Sequence, residues 1–234
     1  MDLSPVPMMN ANTNDTRRLG QAKQQVTEFK SMLPARVDSH HHERDLPFQA
    51  NQVHIALRYR ITELSDSTCK LYEANKFVSA LILTRSIMET VAMLYGLHND
   101  LEKAVDCQDT KKINRLLHQA TLGSRNPEIL RRVTSRHVLD DIKELDKKWN
   151  GTMKHYEYLS DFVHPNVFGV VMPYVKPDKI GAEFGWNIGD VSPTRGLTIL
   201  HRYVFDIFKY CDRQMENLLP KLRNLCDRDQ HGLK

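Results

Sequence analysis

The chain has 234 residues, of which 41% are hydrophobic and 26% are charged, a composition that suits one large helical domain better than two small ones. Its net charge of +4 comes from interspersed basic and acidic residues, so contact with RNA or DNA is permitted but not required. Four scattered cysteines form no CxxC pair, which argues against a disulfide framework or a zinc site and favours reduced cytoplasmic thiols.

The N-terminal part is predicted to precede the main bundle. Residues 1–14 are polar, without the basic start and apolar core of a signal peptide, and are expected to form a disordered tail. Residues 15–47 are expected to form a helix from Asp15 to Leu33 and then a polar linker. The histidine triplet at 40–42 is interpreted as part of a solvated loop, because adjacent residues on an extended chain point to alternate sides.

A helical hairpin is predicted at the centre of the fold. Apolar residues at helical spacing indicate a helix over 51–75, with Asn75 at the turn. Residues 77–98 are apolar on almost every side, which is typical of the central helix of a bundle. Gly96 and the Asn99–Asp100 pair are predicted to end this second helix.

One charged pair interrupts the central apolar stretch. Arg85 and Glu89 are four residues apart and share a helix face. They divide the stretch into runs too short to span a membrane, so a soluble cytoplasmic protein is expected. Burying an ion pair costs several kcal/mol. The pair is therefore expected either to clasp two helices together or to form the floor of a site.

Further helices are predicted after the hairpin. Short ones are expected at 101–105, 110–121 and 127–133, with basic side chains that could form a basic flank or simply a solvated face. Ser135 is a predicted cap for the next helix, which Asn150–Gly151 should end.

A helix is then predicted over 152–164, stopped by Pro165. Tyr156, Ser160 and His164 are four residues apart and share one stripe of this helix.

The C-terminal part combines an insertion with a long helix. Residues 166–191 break the helical pattern and are predicted to form a β-hairpin or ordered loop across one end of the bundle. Ser192 and Pro193 are suited to begin the last helix, and Pro220 should kink it. Its long apolar seam suggests a homodimer. The expected fold is an all-α bundle over 48–230 with this insertion.

Two elements together carry a family resemblance: Thr84-Arg85-Ser-Ile-Met-Glu89 and Leu159-Ser160-Asp-Phe-Val-His164-Pro165. Over about residues 50–225 the chain resembles uncharacterised bacterial helical proteins within or near the HEPN superfamily. HEPN domains are helical bundles that often dimerise. Many are metal-independent ribonucleases of toxin–antitoxin, antiphage or CRISPR-associated systems, and others are non-catalytic binding modules.

The resemblance implies a helical homodimer that can cleave RNA and has an antitoxin or other protein partner. Active HEPN ribonucleases carry an Arg-x4–6-His motif, and Arg195-x5-His201 fits it, although Gly196 replaces the polar residue that usually follows the arginine. The same spacing is found in Arg132-x4-His137 and Arg131-x5-His137, and Arg36 stands before the histidine triplet. No metal site or cofactor is expected.

The candidate site residues follow from the chemistry of metal-free RNA cleavage, which needs a base, an acid and a cation for phosphate. His164 or His201 is the candidate acid or base, because the pKa of histidine is near neutrality. Arg85 or Arg195 would bind phosphate, Glu89 would orient Arg85, and Ser160 or Tyr156 would add hydrogen bonds.

Two alternatives to catalysis stay open. Ser160 and His164 could bond Arg85 and Glu89 across two packed helices as a purely structural network. The protein could also be a non-enzymatic helical module that binds a protein, a nucleotide or another small ligand.

Overall fold

The computed structural model describes residues 13–36, 45–122, 136–185 and 191–230. In these ranges the chain forms a helical bundle with one small hairpin before the long C-terminal helix, so the predicted fold class is confirmed. The α-helices are α1 Thr13–Ser31, α2 Leu46–Glu73, α3 Phe77–Asp106, α4 Thr110–Leu122, α5 Val138–Lys148, α6 Thr152–Asp161, α7 Pro193–Ile199 and α8 Asp206–Gln230. The strands are β1 Val175–Pro177 and β2 Ala182–Phe184.

Several predictions from the sequence fall outside these ranges. They are the tail up to residue 12, the histidine triplet, the helix at 127–133 and the Ser135 cap. Residues 13 and 14, which were predicted to belong to the tail, are the first residues of α1.

The hairpin of α2 and α3 is the centre of the bundle, as predicted. Asn75 makes the turn with a φ of 54°, a left-handed conformation that asparagine tolerates better than most residues. α3 is long and apolar enough to span a membrane. However, 61% of its most apolar stretch of 18 residues is buried inside the bundle. It is therefore packed as the core helix of a soluble protein is packed. Each large apolar side chain that α3 buries stabilises the fold by roughly 1.5–3 kcal/mol.

The predicted end of the central helix at Gly96 is wrong, because α3 continues to Asp106. A Cβ atom at position 96 would lie 1.9 Å from Oδ1 of Asp141 and 2.7 Å from Nη2 of Arg136. The glycine thus lets the start of α5 and its ion pair approach α3. The separate helix predicted at 101–105 is the last part of α3.

Two other helix boundaries differ from the prediction. α2 begins at Leu46, five residues early, because Pro47 is compatible with the first turn of a helix. α6 ends at Asp161, so His164 lies beyond the helix rather than on it.

The insertion contains the predicted β-hairpin. β1 and β2 are antiparallel, with Val175 opposite Phe184. The preceding β-like run is instead a short π-helix at Val167–Val171. The Asn166 side chain caps it by accepting hydrogen bonds from the backbone N–H groups of Phe168 and Gly169, each at 3.0 Å.

The last helix is long, as predicted, and Ser192 caps it by accepting a hydrogen bond from the Arg195 backbone N–H at 3.4 Å. A π-helical segment at Leu200–Phe205 separates α7 from α8. Its wider turn inserts extra backbone into an otherwise continuous helix, a feature that apolar periodicity did not reveal.

α1 joins the same core as the hairpin and the last helix. Phe29 of α1 packs edge-on against Phe205 and Phe208, with ring centroids 5.3 Å and 4.9 Å apart. Aromatic pairs favour such edge-to-face geometry. α1 is therefore held directly against the π-helical segment and the start of α8.

Candidate functional site

Arg85 and Glu89 of α3 meet Tyr156 of α6 in a closed triangle. Nη2 of Arg85 lies 3.0 Å from Oε1 of Glu89 and donates to the Tyr156 hydroxyl at 2.8 Å. That hydroxyl donates in turn to Oε1 of Glu89 at 3.0 Å. The two charged side chains are 22% and 28% exposed, so the pair is half-buried, as predicted for the central helix.

The triangle satisfies its own charges. The Glu89 carboxylate balances the guanidinium, whose Cζ also lies 5.0 Å from the centroid of the Tyr156 ring. Nε of Arg85 is buried without a hydrogen-bond partner. This arrangement suits a clasp between α3 and α6 more than a ready phosphate site, because an incoming phosphate would meet the Glu89 carboxylate.

Ser160 and His164 do not contact this pair of charges. The Ser160 hydroxyl donates to the backbone carbonyl of Tyr156 at 2.8 Å, inside α6. The His164 side chain is exposed beyond the end of the helix. Tyr156, which was predicted only to add hydrogen bonds, is the residue that joins Arg85 and Glu89.

A second polar cluster lies where α6 faces α7 and the π-helical segment. Cζ of Arg195 lies 3.5 Å from the centroid of the Tyr158 ring, a close cation–π contact. The His155 ring packs on Tyr203 with centroids 4.2 Å apart. We call these four residues, His155, Tyr158, Arg195 and Tyr203, the His155 cluster.

The His155 cluster favours a neutral imidazole. Burial, and then the positive charges of Arg195 and Lys154, lower the pKa of His155 below its ordinary value. Its Nδ1 is buried without a hydrogen-bond partner. A histidine that is neutral near pH 7 can accept a proton, and the nearby guanidinium can hold an anion.

The predicted Arg195–His201 pair is not brought together. Arg195 contacts α6, whereas Nε2 of His201 donates to the backbone carbonyl of Arg18 on α1 at 2.9 Å. Residues six apart on an α-helix point in directions about 120° apart. The two side chains of the motif therefore serve different neighbours.

Gly196 has a packing reason that is independent of any motif. A Cβ atom there would lie 2.1 Å from the hydroxyl oxygen of Tyr72 on α2. No polar side chain of the kind expected after the motif arginine fits at this position.

The sequence reasoning missed His155 and Tyr203. His155 and Tyr158 are three residues apart and so share a face of α6, but nothing in the sequence indicates that this face meets Arg195. Only the packing of the helices brings α6 against Arg195 and Tyr203.

Comparison with known proteins adds no relative: no family model, no curated protein and no solved structure matches the chain. In the ranges that the structure describes, no group of three or more His, Cys, Asp or Glu side chains is placed to hold a metal ion.

Proposed function

We propose that the protein is a HEPN-like, metal-independent ribonuclease of a toxin–antitoxin or antiphage system, acting in the cytoplasm as a homodimer. His155 is the acid–base residue and Arg195 binds the scissile phosphate. The observation that supports this assignment is the lowered pKa of His155 beside a guanidinium that is stacked on Tyr158. The sequence resemblance described above supports the reaction class.

The reaction follows from these two side chains. Neutral His155 takes the proton of a ribose 2′-OH, whose oxygen attacks the adjacent phosphorus. Its Nδ1 is buried, so Nε2 is the nitrogen that exchanges the proton. Arg195 stabilises the charge that develops on the phosphoryl oxygens. The 5′-oxygen leaves with a proton from the imidazolium, and the products are a 2′,3′-cyclic phosphate and a 5′-hydroxyl.

The Arg85 triangle has a positioning role in this proposal. It ties α6 to α3 through the Tyr156 hydroxyl, at the residue that follows His155. Since a displacement of about 1 Å can reduce a rate roughly a hundredfold, a fixed α6 matters to the reaction.

A non-enzymatic binding module is the second candidate. It is favoured by the internal balance of the Arg85–Glu89 pair, which resembles a structural clasp. This candidate predicts no RNA turnover, but thermal stabilisation when a ligand binds.

The test is cleavage of a mixed RNA pool by purified protein in EDTA, with analysis for 2′,3′-cyclic phosphate ends. His155→Ala and Arg195→Ala are expected to lower the rate by about a hundredfold or more while remaining folded. His118→Ala is the matched control, because His118 is an exposed histidine on α4. His164→Ala and His201→Ala test the alternative assignments.

Three results would decide between the readings. Cleavage by the wild type that is lost in His155→Ala and Arg195→Ala, and in no other variant, supports the proposed site. Loss with His164→Ala or His201→Ala moves the acid–base role to that histidine. No cleavage by the wild-type protein overturns the ribonuclease proposal in favour of the binding module.

A further inference from the structure

An open cleft of about 390 Å³ lies between α1 and the last helix. It is lined by Arg18 and Gln21 of α1, Thr198 of α7, and His201 and Arg202 of the π-helical segment. Its size is in the range of roughly 300–1,000 Å³ that is usual for small-molecule sites. We call it the α1 cleft.

Arg18 and Arg202 give the α1 cleft two positive charges. Neither Arg18 nor Arg202 makes an ion pair with a carboxylate in the described part of the chain. Asp15, three residues before Arg18 on α1, accepts from the Thr194 hydroxyl, which lies 2.7 and 2.9 Å from its two carboxylate oxygens. Glu28 of α1 lies 3.6 Å from Nζ of Lys209.

The Arg18 and His201 side chains of the cleft are held in place before any ligand arrives. Nη1 of Arg18 donates to the Thr198 hydroxyl at 2.9 Å and to the Thr194 carbonyl at 3.3 Å, which leaves Nε and Nη2 for another acceptor. His201 donates to the Arg18 carbonyl, and its ring packs edge-on against Phe205. A preorganised site loses less conformational entropy on binding.

The π-helical segment supplies an independent reason to expect a ligand. π-Helical turns are rare and occur frequently at functional sites. This one begins at Leu200, so its first turn contains both His201 and Arg202, the two cleft residues contributed by this stretch. The irregular turn therefore coincides with the cleft.

We propose that the α1 cleft binds a phosphate group, with the guanidinium groups of Arg18 and Arg202 as its donors. Arginine presents planar, permanently charged donors that match phosphate oxygens. The phosphate belongs either to a free nucleotide or to a nucleic-acid backbone. The site uses neither His155 nor Arg195, so it is separate from the proposed ribonuclease site.

The test is isothermal titration of the full chain with AMP, with adenosine as the ligand that lacks phosphate, and with a six-residue oligodeoxyadenylate without terminal phosphates. The deoxy probe cannot be cleaved through a 2′-OH. Arg18→Gln and Arg202→Gln are the cleft variants. Arg213→Gln is the matched control, because Arg213 is an exposed arginine on α8 outside the cleft.

The expected result is that a phosphate-bearing probe binds, adenosine does not, and each cleft variant weakens binding by about tenfold or more, whereas Arg213→Gln has no effect. Binding of AMP alone identifies a free nucleotide, and binding of the oligonucleotide alone identifies a nucleic-acid backbone. If neither probe binds, or if Arg202→Gln and Arg18→Gln bind as the wild type does, the proposal is overturned.

The outcome is independent of the RNA cleavage assay. Arg195→Ala should keep the binding while it loses cleavage, and Arg202→Gln should keep the fold, because Arg202 is exposed and its replacement leaves the core untouched. Loss of binding in Arg195→Ala would place the phosphate in the His155 cluster and contradict the α1 cleft.

Discussion

At the scale of single residues, the Tyr156 hydroxyl is what makes a half-buried ion pair acceptable between two packed helices. A desolvated ion pair gains little unless its remaining donors and acceptors are satisfied. The hydroxyl accepts from Arg85 and donates to Glu89, so it serves both charges from the opposite helix, and Nε of Arg85 is the buried donor that it leaves without a partner. It therefore links helix packing to the position of the neighbouring His155.

His155 provides the first prediction, which concerns its titration. Burial is the largest cause of its lowered pKa, and the Arg195 charge is the next. Arg195→Gln should therefore raise the pKa of His155 part of the way towards 6.5, its ordinary value. An NMR titration of the imidazole resonances measures this shift, with Arg213→Gln as a control that removes an arginine elsewhere.

The same lowered pKa fixes the sign of a stability effect. Below pH 6.5 the unfolded chain protonates this histidine before the folded chain does, so protonation favours unfolding. The contribution of His155 to stability is complete above its unfolded pKa and falls as the pH drops towards the folded pKa. For the NMR titration, a pKa of His155 that is unchanged in Arg195→Gln would show that the guanidinium does not act on His155.

At the scale of elements, the packing of α5 against α3 depends on a glycine inside a helix. Arg136 holds the buried carboxylate of Asp141 through two hydrogen bonds, at 2.7 and 3.2 Å, directly over Gly96. Burial raises the pKa of Asp141 despite this partner. The close approach explains why a glycine stands inside α3.

Gly96→Ala is therefore expected to lower the free energy of unfolding by about 2–4 kcal/mol, because the new methyl group displaces the buried ion pair. Gly20→Ala in α1 is the matched control. A Cβ there meets nothing within 4 Å, and the change should raise stability by roughly 0.5–1 kcal/mol. Urea unfolding measures both changes. Equal effects of the two substitutions would show that space at Gly96 is not limiting.

The periodicity of apolar residues predicted the long helices of the bundle. The apolar pattern located the α2–α3 hairpin and the long last helix, and turn chemistry located Asn75 and Ser192. Periodicity failed where an element is decided by a distant partner. Gly96 was interpreted as a helix end because its neighbour Asp141 is remote in sequence, and the π-helical segment leaves the apolar repeat intact.

Among the site residues, contacts within one helix could be predicted from the sequence and contacts between two elements could not. Arg85 and Glu89 could be predicted, because their spacing on one helix sets their contact. The contacts of His155 with Tyr203 and of His201 with Arg18 each join two elements, and no local pattern encodes them. Such contacts are decided by how the helices pack.

At the scale of the whole molecule, the apolar seam of the last helix is used inside the chain. Its side chains from Leu197 to Leu225, at intervals of three and four, are buried in the common core. The proposed homodimer must therefore form through a different surface from the seam that first suggested it.

Leu222→Ala tests this use of the seam. Leu222 is 0% exposed, so truncating it should lower the free energy of unfolding by about 2–5 kcal/mol through the lost contacts and the cavity left behind. Arg223→Ala, at the exposed neighbouring position, should change stability by less than about 0.5 kcal/mol. Urea unfolding at several protein concentrations measures the free energy of unfolding, and sedimentation equilibrium on the folded variants measures the association state.

If the seam lies within one chain, Leu222→Ala loses stability and keeps the wild-type association state. Dissociation of a wild-type dimer by Leu222→Ala would instead place the seam between two chains, because a seam that joins two chains ties stability to protein concentration.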